Sequence, residues 1–345
     1  MLPKFSPARS IDGTSAFVFY NGVLHKSLIS RPREEKIGSI EWRAYAVRRS
    51  MKKSLIVLCV VIVICSLLTV SLLLKLSSAP SDGEPQPAPI STVQPTNQAL
   101  QQAVNHGITY LRQIQEPIGL LMLNVIYRQF GIAEFNDSLQ RYDQLLASNP
   151  DPLSRIFRRI ADYNTSAVQP EDFNSVTDQL DRLTVPALYS DRISLPDDYL
   201  SQLTDAMDSG FFYASHSINS GSYLLTHALL ATIWLQNNHC SLQLPEDFTS
   251  TLYQKNAALI GDGSQVDDIE LEAAAFLYQA GQGNLVNPAF VQNVIAAQFT
   301  DGGWSATQDT PYNTNWHPSV LALMILLYVE YPAASYPPMI APAPS

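Results

Sequence analysis

The sequence predicts an all-α domain built from antiparallel helix pairs, preceded by a single transmembrane helix and a disordered linker. Three observations lead to this prediction. Apolar residues recur at intervals of three and four almost throughout 99–331, an uncharged apolar run occupies 54–74, and alternating β patterns are scarce. The chain has 345 residues, of which 46% are hydrophobic and 15% charged. This composition excludes a wholly disordered protein, which would need far less apolar surface.

The charged residues are distributed unevenly along the chain. Residues 1–53 carry eleven Lys or Arg against four Asp or Glu, a net charge of +7, whereas residues 77–345 carry nine against twenty-seven, a net charge of −18. An acidic domain without a Lys/Arg cluster would repel phosphate backbones. The sequence therefore argues against nucleic-acid binding.

The run Ser54–Leu74 contains twenty-one residues without a charge, which is long enough to cross a bilayer as a helix. Four basic residues lie within the six positions before it and only one follows closely. We therefore predict a transmembrane helix at 54–76. By the positive-inside rule, we expect its N-terminal side to be cytoplasmic and residues 77–345 to be extracytoplasmic. The alternative is a cleaved signal peptide that begins at Met51 and ends near Ala79.

The segments around the predicted membrane helix and at the chain end show no pattern of a packed core. Residues 1–53 are predicted to be a short cytoplasmic tail, or they come from an upstream start codon with Met51 as the true start. Residues 77–98 are rich in Pro, Ser and Gln, which is typical of an extended linker. Residues 336–345, dense in Pro and Ala, are predicted to be a disordered tail. The folded domain is thus expected at 99–335.

Three predicted helices repeat at a fixed interval. His227, Glu272 and His317 are each 45 residues from the next, and each is followed by a helix that is apolar nearly all round. A helix with no polar face is typical of one that is surrounded by other helices. The repeat predicts that these three residues lie at the same level of three successive buried helices.

One string, Gln298-Phe-Thr-Asp-Gly-Gly-Trp304, resembles the Gln-Trp motif of squalene and terpenoid cyclases. Protein prenyltransferases of the same superfamily often show a similar turn. The resemblance covers 290–330 well and 107–115 more weakly, and it implies an (α/α) toroid. The glycines permit a tight turn after an outer helix, while Gln298 and Trp304 can join adjacent repeats by hydrogen bonding and stacking.

The resemblance to cyclases also suggests candidate acids. Cyclases of the hopene type protonate their substrate with an Asp-x-Asp-Asp motif, and this chain has Gln265-Val-Asp267-Asp268, in which Gln replaces the first Asp. Asp267 and Asp268 are therefore the predicted catalytic residues. The alternative is that one of them only caps the helix that begins there. At about 235 residues the domain is much shorter than the two-domain cyclases, which argues against full triterpene cyclisation.

The prenyltransferase resemblance suggests a metal site instead. Those enzymes bind zinc through Asp, Cys and a His that opens an inner helix, and His317 occupies such a position without an accompanying Cys. His227, Glu272 and His317 are the predicted ligands here, because two His and one carboxylate can hold zinc or iron with one position open. His216 could be a further member. The alternative is that each His is only a structural group at its helix start.

Two functions therefore follow from the sequence. The first is a membrane-anchored, extracytoplasmic enzyme on a toroid fold, with an acid or zinc site at the mouth of its ring and an unknown reaction. The second is a non-catalytic protein-binding scaffold on the same fold. Metal content and the convergence of the predicted ligands distinguish the two.

Overall fold

A computed structural model describes residues 97–164, 168–215, 219–307, 314–333 and 335–342. Outside these ranges lie four features of the sequence analysis: the predicted cytoplasmic tail, the predicted transmembrane helix, nearly all of the predicted linker, and His216. Among the helices that the structure describes, none combines the length and the apolar character needed to span a membrane.

The described residues contain eleven α-helices and confirm the all-α class. In chain order the helices are α1 (Asn97–Leu111), α2 (Pro117–Phe130), α3 (Ser138–Ser148), α4 (Pro152–Phe157), α5 (Gln179–Leu188), α6 (Tyr199–Ser215), α7 (Asn219–Asn237), α8 (Phe248–Ile260), α9 (Asp268–Gln279), α10 (Pro288–Ala296) and α11 (Trp316–Glu330). Short 3₁₀ turns occupy Ala133–Phe135, Arg158–Ile160, Pro170–Ser175 and Gly283–Leu285. Two strands of two residues each, β1 (Trp304–Ser305) and β2 (Thr314–Asn315), pair antiparallel.

Polar caps and prolines fix the start of several helices. The side chain of Asn287 accepts a hydrogen bond from the backbone N–H of Ala289 at 2.9 Å, and a proline follows it at the first helical position of α10. Asn315 in the same way accepts from the backbone N–H of His317 at 3.0 Å. This cap begins α11 and places His317 in the first helical turn.

The helices that contain Glu272 and His317, α9 and α11, are surrounded by other helices. α11 contacts α1, α2 and α9, and every residue from 318 to 328 is buried. α9 also contacts α7 and α8, while α7 packs against α5 and α6. These surroundings explain why α9 and α11 have no polar face.

The turn at Gln298–Trp304 connects the last part of the domain to the first helix. The side-chain amide of Gln298 donates to the carbonyls of Ala103 in α1 and of Gly302, both at 2.9 Å. The indole N–H of Trp304 donates to the carbonyl of Val294 at 2.7 Å. Gly302 has φ +92°, and a Cβ atom there would lie 2.4 Å from the carbonyl oxygen of His106. The turn therefore requires glycine at this position.

Residues 335–342, which we call the C-terminal segment, are packed against the helices. Met339 and Ile340 are each 1% exposed, and the backbone N–H of Ala341 donates to the carbonyl of Ile160 at 2.9 Å. The prediction of a disordered tail from 336 onward was wrong for these residues. It relied on the Pro and Ala content, whereas the burial of two large apolar side chains holds the segment in place.

Candidate functional site

Helical segments from six parts of the domain line one cavity of about 60 Å³, which has room for a few water molecules. The segments are α2, α5, α7, α9, α11 and the stretch from α4 to the following 3₁₀ turn. Most of the wall is apolar, with Met122, Phe157, Leu230, Phe276 and Leu321 among its side chains. The polar side chains in the wall are Asp181, Thr184, His227, Glu272 and His317.

Three of these polar residues are the ones that the 45-residue repeat predicts to lie together, and the structure brings them together. Nδ1 of His227 lies 3.2 Å from Oε1 of Glu272, and Nε2 of His317 lies 3.3 Å from Oε2 of the same carboxylate. Glu272 is 1% exposed and His227 is 4% exposed. A buried carboxylate thus joins two histidines that belong to different helices.

Asp268 extends this row of ionisable groups. Nδ1 of His317 lies 2.8 and 3.0 Å from the two carboxylate oxygens of Asp268, and the hydroxyl of Tyr223 donates to one of them at 2.6 Å. Since each ring nitrogen of His317 faces a carboxylate, which only accepts hydrogen bonds, both nitrogens must carry a proton. His317 is therefore an imidazolium held between two carboxylates.

Two residues of α7, Thr226 and His227, contact the Oε1 atom of Glu272. The hydroxyl of Thr226 donates to Oε1 of Glu272. Nδ1 of His227 also lies 3.0 Å from the backbone carbonyl of Tyr223. Two acceptors around Nδ1 place the proton on that nitrogen and fix the orientation of the ring.

The charges in this row shift the pKa values of its members. Burial by itself would lower the pKa of His317, but the negative charges of Asp268 and Glu272 and their hydrogen bonds raise it to about 10. Burial by itself would raise the pKa of Glu272, but His227 and His317 hold it well below its usual range. Both groups are therefore charged throughout the physiological pH range.

Asp181 in α5 is the site residue that the sequence analysis missed. Burial raises its pKa to about 6; nearby Asp178 and Asp151 act in the same direction, and His227 opposes them. Its Oδ2 atom is buried and has no hydrogen-bond partner within the described residues. Its burial depends on distant helices, so only its place in an amphipathic helix was visible in the sequence. A carboxyl group in such surroundings favours its neutral, proton-donating form.

The two predicted catalytic aspartates have different positions. Asp268 is the first residue of α9, is buried, and contacts His317, as described above. Asp267 is the N-cap residue of α9, but its side chain makes no capping hydrogen bond. Neither residue lines the cavity.

The predicted metal ligands have suitable chemistry but a different arrangement. A first-row metal needs its ligand atoms about 2.0–2.2 Å from one point. Here the two oxygens of Glu272 are directed at the two histidines themselves, in the manner of hydrogen-bonded pairs. Across the described ranges, no group of three or more His, Cys, Asp or Glu has an arrangement that holds a metal ion.

Comparison with known proteins adds no relative to this picture. No family model matches the chain, and neither the curated proteins nor the solved structures contain a significant match. The polar cluster of Asp181, His227, Glu272, His317 and Asp268 must therefore be interpreted from its own geometry.

Proposed function

We propose that the domain is an (α/α) toroid that binds a small, mainly apolar molecule in its cavity and transfers a proton to it. The observation that carries this proposal is the cavity itself, because buried ionisable side chains line one part of an otherwise apolar wall. Small-molecule sites combine an apolar lining with a few converging polar groups in this way.

The packing of the helices supports the toroid. The cavity-lining α2 and α11 contact each other, although they lie at opposite ends of the domain sequence. The polar residues Asp181, Glu272 and His317 come from the N-terminal halves of α5, α9 and α11. Inner helices that run parallel around a common axis would place these residues at one mouth of the ring, as the resemblance to terpenoid cyclases and prenyltransferases implies.

Asp181 is the proposed proton donor. Its raised pKa keeps a large share of the carboxyl protonated near pH 6, and it faces the cavity. After the transfer, Asp181 is a carboxylate in the cavity wall. The protonated molecule would be stabilised by this charge and by the aromatic rings of Trp316 and Phe276 in the same wall.

The proposed location is unchanged from the sequence analysis: a single-pass membrane protein with its domain outside the cytoplasm. The charge step across Ser54–Leu74 supports it. A reporter enzyme fused after Ser345 should be active only in the exterior compartment. Activity in the cytoplasm would refute the orientation.

Ligand binding is tested with isobutylammonium and its neutral counterpart isobutanol, followed by the fluorescence of the tryptophans. We expect the cation to bind at least tenfold more tightly than the alcohol at pH 7, with an affinity that falls as Asp181 is protonated below pH 6. Asp181→Asn should remove this pH dependence.

A variant that fills the cavity is the matched control. Leu230→Phe places added volume in the wall without changing any charge and should abolish binding of both probes. Equal affinity for the cation and the alcohol, or binding that Leu230→Phe leaves intact, would refute the proposal and favour the non-catalytic scaffold.

A zinc site at His227, Glu272 and His317 is the second candidate, favoured by the convergence of these side chains. Binding would require the two His–Glu contacts to open. Elemental analysis of the purified chain decides the matter. Zinc in a one-to-one ratio that is lost in the His227→Ala, His317→Ala double variant would establish the site, and metal below a tenth of that ratio would rule it out.

A further inference from the structure

The C-terminal segment closes the cavity at the C-terminal ends of the lining helices. Met339 is part of the cavity wall, and the indole N–H of Trp234, near the end of α7, lies 3.3 Å from its sulfur. The backbone N–H of Met339 donates to the side chain of Asn237, the last residue of α7, at 3.1 Å. An apolar side chain from the chain end thus occupies the space opposite the polar cluster.

Arg128 holds the backbone of this segment. Its guanidinium donates to the carbonyls of Pro338 at 3.1 Å and Met339 at 2.5 Å, and also to the carbonyl of Ile160 at 3.1 Å. Its remaining acceptor among the described residues is the side-chain oxygen of Asn124, at 3.1 Å. All of these acceptors are uncharged, so no anion in the described part of the chain compensates this half-buried cation.

Arg159 stands beside the same carbonyls. It is 1% exposed and donates to the carbonyl of Ala341 at 2.8 Å, while Asp191 lies 3.2 Å from its other terminal nitrogen. Its Nε is buried and lacks a hydrogen-bond partner within the described residues. Buried cations in proteins are normally paired with anions and fully hydrogen-bonded. Arg159 has Asp191 as its anion and also donates to the side chain of Asn238 at 3.2 Å. Arg128 is therefore the cation that has the capacity to bind an anion that the C-terminal segment does not supply.

We propose that the C-terminal segment is an exchangeable internal occupant of a second binding site, whose external ligand is an amphiphile with an anionic head and an unbranched apolar chain. The head group would take the place of the carbonyls of Pro338 and Met339 at Arg128, and the chain would follow the path of the Met339 side chain into the cavity. The proposal uses the cavity of the proposed function, but it depends on neither Asp181 nor the polar cluster.

Cavity size supports an exchange rather than simultaneous binding. About 60 Å³ has no room for an eight-carbon chain while Met339 is in place. The segment is attached through backbone hydrogen bonds and through the buried side chains of Met339 and Ile340, without a salt bridge of its own in the described residues. A carboxylate makes stronger, charge-assisted hydrogen bonds to the same guanidinium.

Octanoate is the probe, and the first experiment uses the full chain in phosphatidylcholine nanodiscs, so that no detergent competes. Hydrogen exchange is followed at the backbone amides of Met339 and Ala341, which are hydrogen-bonded to Asn237 and Ile160. Saturating octanoate should speed exchange at both amides at least tenfold, because it displaces the segment. Octylammonium, with the opposite charge, should leave both rates unchanged. Unchanged or slower exchange with bound octanoate would overturn the proposal.

Affinity provides the second readout. Met339→Ala in the full chain empties the path of the apolar chain and should tighten octanoate binding about tenfold, and a chain that ends at Ser335 should bind it more tightly still. Adding Arg128→Gln to Met339→Ala should weaken binding about tenfold. Arg112→Gln, at an exposed arginine, should have no effect.

If the shortened chain does not fold, the comparison of Met339→Ala with and without Arg128→Gln decides the matter. Equal octanoate affinities of these two variants would overturn the proposal. Asp181→Asn should remove the pH dependence of isobutylammonium binding and leave octanoate binding unchanged, which separates this site from the proposed function.

Discussion

Substitution of His317 by glutamine should destabilise the domain by an amount that depends on pH. The imidazolium of His317 lies between Asp268 and Glu272, and glutamine keeps much of its size but not its charge. The variant leaves two buried carboxylates close together without a cation. Removal of one partner from a buried ion pair typically costs about 3–5 kcal/mol. We expect a loss of this size in the free energy of unfolding at pH 6.

The pH dependence follows from the raised pKa of His317, about 10 in the folded protein, against about 6.5 in the unfolded chain. A raised pKa gives a stabilisation that is fully present below the unfolded value and is lost as the pH approaches the folded value. Between these values, unfolding releases one proton, so stability falls by about 1.4 kcal/mol per pH unit. The wild-type protein should therefore lose about 2–3 kcal/mol between pH 7.5 and 9.5 through this group.

Urea unfolding followed by circular dichroism at several pH values measures both effects. The difference between wild type and His317→Gln should be largest near pH 6 and should shrink steadily toward pH 10. The control is His106→Gln, because the side chain of His106 is exposed and belongs to no ion pair in the described residues. A difference below 1 kcal/mol at pH 6, or one that is the same at pH 6 and pH 9.5, would refute the assignment of His317 as an imidazolium.

Three further predictions concern the buried side chain of Trp304, the turn at Gly302 and the candidate proton donor Asp181. Trp304→Ala should lower the free energy of unfolding by about 3–5 kcal/mol because the indole is 1% exposed, whereas Phe212→Ala, at a side chain 54% exposed, should change it by less than about 0.5 kcal/mol in the same urea titration. Gly302→Ala should lower the melting temperature more than Gly131→Ala, since both glycines have positive φ but only the first would bring a Cβ atom against backbone; equal shifts would contradict this. Asp181→Asn should stabilise the protein at pH 7 by about 1–3 kcal/mol and have little effect below about pH 4, because its raised pKa makes the carboxylate form unfavourable in the folded state. Destabilisation at pH 7 would show that the carboxylate of Asp181 is needed for folding.

The sequence predicted the elements that depend on local pattern. The apolar runs after His227, Glu272 and His317 predicted three buried helices, which the structure contains. Their equal spacing predicted that the three side chains lie together, and both histidines contact Glu272. The Gly302 turn was also visible, because only glycine adopts its backbone conformation without strain.

What the sequence could not predict depends on contacts between distant residues. Asp181 lies in a helix of ordinary amphipathic pattern, and its burial is set by helices far along the chain. The carbonyls of the C-terminal segment are bound by Arg128 and Arg159, about 180 to 210 residues earlier in the chain. No local feature of a Pro-rich segment indicates such partners, although the adjacent Met339 and Ile340 were a sign of burial.

The hydrogen bond from Gln298 to Ala103 joins residues 195 positions apart, and it has a consequence for protein synthesis. At about 5–20 residues per second, a ribosome needs about 10–40 s to add the residues between them. α1 has no access to its partner α11 until nearly the whole domain has been made. The apolar side of α1 lacks its cover from α11 throughout this interval, and exposed apolar surface of this kind makes a folding chain prone to aggregation. A nascent chain that stops before Trp316 cannot complete the core, so we expect it to be degraded rather than to accumulate as a stable fragment.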